Sequence, residues 1–152
     1  MRTAHMTAHF PDPHLDAQFY DGVPIKRFLA WIIDVVVVFG LVLTALLFTF
    51  GLISLIFPVA MFGLNLAYRI FCLQKWSATL GMRTVGIELR GSDGNRLDLS
   101  QSVFHTLVFV AIFASLIGAL ANMIVILVTD RNQGLHDLIL GTVAINRPAT
   151  SL

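Results

Sequence analysis

Charge is scarce in this chain: Asp, Glu, Lys and Arg supply 12 % of its 152 residues, about half the share found in a soluble domain. Hydrophobic residues supply 57 %, more apolar surface than a soluble protein of this size keeps out of water. The composition therefore weighs against a water-soluble enzyme and for an integral membrane protein. Cysteine is almost absent. Cys72 stands alone, which excludes an internal disulfide and a Cys-rich metal site. A formal net charge of +1 is too small for a nucleic-acid binder. Catalytic motifs are missing as well. Gly81 and Gly86 have the outer spacing of a phosphate loop, but Ile87 stands where its lysine belongs. No Gly-x-Ser-x-Gly elbow occurs, and no histidine-rich helix suits zinc. The sequence predicts no catalytic residues, no cofactor and no metal.

The first 26 residues are polar, with His5, His9 and His14 among prolines and aspartates. They lack the apolar core and cleavage site of a secretory signal. Residues 1–19 read as a polar tail, 20–147 as the membrane domain and 148–152 as a second short tail. The tail histidines could touch a metal, but a flexible polar segment explains them more simply.

From Phe28 to Leu73 the chain is nearly all apolar. One crossing of a hydrocarbon core about 30 Å thick takes roughly 20 residues, so this stretch folds back once. Thr49-Phe50-Gly51 is the best turn, giving spans near 28–49 and 52–73, with Pro58 expected to kink the second. Residues 74–101 carry Lys75, Arg83, Glu88, Arg90, Asp93, Arg96 and Asp98 and belong in water or at the headgroups. Within them Thr84–Arg90 reads as a short strand, followed by the turn Ser92-Asp93-Gly94-Asn95. Thr142–Arg147 reads as another.

The third apolar run, 102–128, allows two readings. One helix of that length would span about 40 Å and would need tilt. Alternatively the run bends near Ser115–Gly118 and returns. Arg131, Arg147 and the chance for the two short strands to pair favour return. The fold class is thus an all-α membrane protein with two transmembrane helices, a third apolar segment and short cytoplasmic strands. Lys26 and Arg27 precede the first span, and Lys75, Arg83, Arg90 and Arg96 follow the second. The positive-inside rule then places the N-terminus in the cytoplasm. The expected partner is the lipid bilayer.

Asp34 lies inside the first span. A carboxylate at a helix centre costs about 2.5–3.5 kcal/mol even on the lenient insertion scale. It is either a structural group, ion-paired or neutral and hydrogen-bonded, or a proton- or cation-binding carboxylate. Arg27 shares its face, but side chains lean toward the helix N-terminus, so Arg27 leans away from Asp34 toward the interface. Arg69, on a span running the other way, leans deeper and reaches the Asp34 level, and Asn65 is placed to add a hydrogen bond. The small residues Ala114, Ser115, Gly118 and Ala119 suit close helix packing.

The segment Tyr20–Asp34 resembles the opening of the RDD family of bacterial membrane proteins. That family is named for an arginine at the start of the first helix, an aspartate within it and a further aspartate. The matching positions are Arg27, Asp34 and Asp137, the last within Arg131–Val143, which is similar to the family's closing segment. Ser77–Gly86 resembles its middle motif, although Leu80 and Met82 replace the usual Pro and Lys, with Arg83 one place later. The resemblance implies an inner-membrane protein, loosely transport-related, with an unknown ligand or cation–proton exchange. So few spans point to an oligomer or a larger complex for any transporting form. The other class open to it is a membrane scaffold or assembly partner. Asp137 has two readings of its own: a proton relay with His136, or a lock that fixes the last strand with Arg83 or Arg27 as counter-ion, which is the favoured one.

Overall fold

The computed structural model describes residues 10–148. His5 and His9 lie outside them, while His14 is exposed. Six helices and two strands follow: α1 (Val23–Phe48), α2 (Phe57–Trp76), α3 (Leu80–Thr84), β1 (Ile87–Arg90), α4 (Leu99–Phe113), α5 (Leu116–Val128), α6 (Leu135–Leu140) and β2 (Val143–Asn146). Short 3₁₀ turns at Ala17–Phe19 and Leu52–Ile56 precede α1 and α2.

The long helix α1 starts where its punctuation dictates. Gly22 sits left-handed at φ 67°, and Pro24 occupies the first turn, where a missing N–H costs nothing. Pro58 plays the same part in α2. Pro58 does not kink the middle of this helix as expected, because it lies in the first turn. With their 3₁₀ turns, these two helices form the stretches Ala17–Phe48 and Leu52–Trp76, both long and apolar enough to cross a membrane. Their outer faces agree. Val36, Leu47, Phe48, Leu55 and Val59 are all more than 65 % exposed, an apolar surface suited to lipid rather than water.

The third apolar run is broken. Helices α4 and α5 differ in direction by 115°, and Ser115 caps α5 by accepting from the Gly118 N–H at 3.0 Å. The break needs glycine: a Cβ on Gly118 would lie 2.2 Å from the Ile112 carbonyl oxygen. The chain then returns to the end where it started. β2 pairs antiparallel with β1, with Glu88 opposite Ile145 and Leu89 opposite Ala144. Of the two readings of 102–128, the bend and return is the one the molecule adopts.

An apolar core at this end joins the sheet to the helices. Leu73, Ile87 and Leu89 are fully buried in it, with Val23 and Ala144 beside them, and each large side chain contributes about 1.5–3 kcal/mol against exposure to water. Part of the segment that reads as a tail is packed here too. Phe10, Phe19 and Tyr20 lie on Val143 and Ile145, and the Tyr20 hydroxyl donates to the Pro11 carbonyl at 2.8 Å. Polar groups lie inside the apolar exterior: Asp34, Arg69, His105, Asn122, His136 and Asp137 are all buried.

Candidate functional site

The short helix α6 delivers Asp137 into the interior, where its side chain is 0 % exposed. Both carboxylate oxygens are fully used. Oδ2 accepts from Arg27 Nη2 at 2.5 Å and from the Gly134 N–H at 2.9 Å. Oδ1 accepts from Thr142 Oγ1 at 3.0 Å and from His105 Nε2 at 3.1 Å. Burial alone would raise the pKa of this acid. The guanidinium of Arg27, with the histidines and their hydrogen bond, outweighs burial and holds the group well below the usual carboxylate range. Asp137 is a fixed anion.

His136 is fixed in the opposite sense. Its Nδ1–H donates to Asn122 Oδ1 at 3.1 Å, and its Nε2 lies 3.0 Å from Arg27 Nη2, which can only donate. One neutral tautomer satisfies both contacts. Burial pushes the imidazole down to about 3 against the pull of Asp137. The two members of the expected relay are therefore set far from neutral pH in complementary states. Of the two counter-ions foreseen for Asp137, the structure places Arg27 there, while Arg83 lies over the Trp76 ring at 4.4 Å.

Asp34 is held one layer deeper. Its Oδ1 accepts from the Tyr68 hydroxyl at 2.6 Å and the Gly81 N–H at 2.9 Å, and the same hydroxyl accepts from the Leu80 N–H at 3.0 Å. The carboxylate thus pins α3 to α1 and α2. Contact is close enough that a Cβ on Gly81 would stand 2.1 Å from the Ala30 carbonyl oxygen. The expected Asp34–Arg69 ion pair is not formed. Among the described residues the ion pairs within 4.0 Å involve Asp137 and Glu88 only. Arg69 instead stacks on Phe109, 3.8 Å from the ring centroid. The hydroxyl of Tyr68, one residue earlier on α2, takes the place foreseen for the guanidinium. Asn65 bonds to neither, and its Oδ1 is buried without a partner.

These groups open onto a cavity of about 620 Å³ between α1, α4, α5 and α6. Arg27, Asp34, Arg69, His105, Asn122 and His136 form its polar wall, and the remainder is largely apolar. Asp34, Asn65 and Arg69 also line a much smaller void of about 30 Å³. His105, His136 and Asp137 bring one ligand-type atom each within 4.8 Å of one another. A cation held there would sit beside the Arg27 guanidinium, which already occupies His136 Nε2 and Asp137 Oδ2. The chemistry of this donor set favours the hydrogen-bonded cluster. Sequence reasoning overlooked His105 and Asn122, although the signal that marked Asp34, a polar side chain within an apolar run, marks both of them.

Apolar helices outside and a buried Arg–Asp–His cluster at one end define a helical membrane protein with a polar-walled cavity between its helices. The chain belongs to the RDD family, which it matches over residues 22–141. No curated protein and no solved structure matches it.

Proposed function

We propose that this chain is a transport-related protein of the bacterial inner membrane, acting as an oligomer or within a larger complex, with Asp34 as its intramembrane carboxylate. A polar track supports this reading. It leads from the Arg27–Asp137 cluster past Asp34 and Arg69 to Asn65. Asn65 precedes Trp76 by 11 residues, about 16 Å along α2 and near the middle of a hydrocarbon core about 30 Å thick. Polar groups at that depth are costly and are kept where they meet one another, a ligand or water. On this reading the protein is not an enzyme. The basic residues flanking the spans set the N-terminus and the sheet on the cytoplasmic side.

The rival, a non-catalytic scaffold or assembly partner, has one observation in its favour: beyond Asn65 the far ends of both spans are apolar. Liposomes holding a pH-sensitive dye separate the two. Proton flux that follows an imposed Na⁺ or K⁺ gradient is expected for the wild type and lost in Asp34→Asn, whose amide oxygen still accepts from Tyr68 and Gly81. Flux that persists in Asp34→Asn removes the carboxylate from the mechanism. No flux under any gradient replaces transport with the scaffold.

A further inference from the structure

We propose that the 620 Å³ cavity is a lateral site for the phosphate headgroup of an anionic phospholipid, entered from the bilayer and held by Arg69. The argument begins with an unsatisfied cation. Arg69 is 8 % exposed and lines the cavity, and among the described residues its side chain makes no hydrogen bond. Its Nε is buried without a partner. Stacking on Phe109 uses the face of the guanidinium, whereas its five N–H groups lie in the plane and are untouched by that contact. A guanidinium that cannot deprotonate, in apolar surroundings, requires an acceptor. Neither nearby carboxylate pairs with it: Asp137 is saturated, and Asp34, whose Oδ1 accepts from Tyr68 and Gly81, lies beyond ion-pair distance. The planar fork of arginine matches phosphate oxygens two at a time.

The shape of the cavity indicates how such a ligand arrives. Phe28, Leu116, Leu120, Met123 and Leu127 line it and are also 49–76 % exposed on the outer apolar surface. The mouth therefore opens among side chains that face lipid tails. At about 30 Å³ per heavy atom, taking the share of a water molecule, the volume holds about twenty atoms. That accommodates a glycerophosphate head and its first methylenes, and leaves the acyl chains in the bilayer along α5. Arg27 stands at the polar end of the same wall, so the phosphate lies between two guanidiniums. The site shares Arg69 and the cavity with the polar track but does not rest on transport, because lipid retention is read without any flux.

Native mass spectrometry of the protein in neutral detergent tests the proposal, with added phosphatidylglycerol, phosphatidylcholine or inorganic phosphate. Phosphatidylglycerol is expected to be retained at least tenfold over phosphatidylcholine, about 1.4 kcal/mol, with no adduct of inorganic phosphate. Arg69→Met should lose that preference. Leu120→Trp should lose the adduct by filling the cavity while leaving every charge in place. Thermal melting of each variant reports whether it is folded. If Arg69→Met does not fold, Leu120→Trp decides alone. Equal retention of the two lipids, an adduct that survives Leu120→Trp, or displacement by inorganic phosphate overturns the proposal.

Discussion

His136 shows how one residue can tie stability to pH without exchanging protons in the folded state. Its neutral form is locked by Asn122 and Arg27, with Asp137, His105 and Arg69 as the other charged or titratable neighbours, and its pKa falls to about 3 from 6.5. The unfolded chain takes up a proton on this ring below about pH 6.5, and the folded chain does not. Stability is therefore complete above that pH and declines as pH falls toward 3, by about 1.4 kcal/mol per unit for one proton. Asp137, whose pKa is lowered, contributes stability that is present above its ordinary carboxylate range and is lost only at still lower pH. Unfolding in detergent between pH 6.5 and 4.5 should show at least this slope for the wild type, because burial lowers His105 as well, and a flatter one for His136→Gln. Equal slopes would place the titration elsewhere. Asp34 was legible in the sequence because charge within an apolar run stands out, whereas Asp137 was marked by the resemblance of its segment to the family's. The partners of Asp34 were not legible. Tyr68 reads as ordinary apolar filling, and a backbone N–H such as that of Gly81 leaves no trace in the sequence.

At the level of elements, α3 matters more than its five residues suggest. Thr79 caps it by accepting from the Met82 N–H at 3.2 Å, and Gly81 lets its backbone touch α1. Gly81→Ala puts a methyl group against the Ala30 carbonyl and the Asp34 carboxylate. Overpacking of this kind costs about 1–3 kcal/mol, so a drop in the melting temperature of detergent-purified protein is expected. Gly63→Ala serves as the control, because nothing lies within 4 Å of the added atom, and an equal drop there would refute the account. The sequence announced α1 and α2 through long apolar runs, and both strands through brief alternation. It concealed α3 and α6, because five or six residues are too few for a helical period to emerge. Thr84 accordingly ends α3 instead of opening β1. Glu88, read in the sequence only as one charge among several, is buried on β1 with Arg90 and Arg147 as ion partners.

The whole molecule is polar at one end and apolar along its length, and that asymmetry sets its expected orientation. Leu52 is 70 % exposed in the turn between the spans, and Ser92 is exposed beyond β1 at the opposite end. With Leu52→Cys and Ser92→Cys, a membrane-impermeant thiol reagent added from the periplasm should label the first and spare the second. The buried Cys72 contributes little background. Equal labelling would refute the orientation. The pairing of Arg27 with Asp137 across 110 residues also imposes a timetable on synthesis. When α1 enters the membrane its arginine has no carboxylate to meet, and His105 arrives later to the same vacancy. Only after the final tenth of the described chain leaves the ribosome can Gly134–Asn146 close over them. Until then Arg27 and His105 lack the one carboxylate that both contact in the folded molecule.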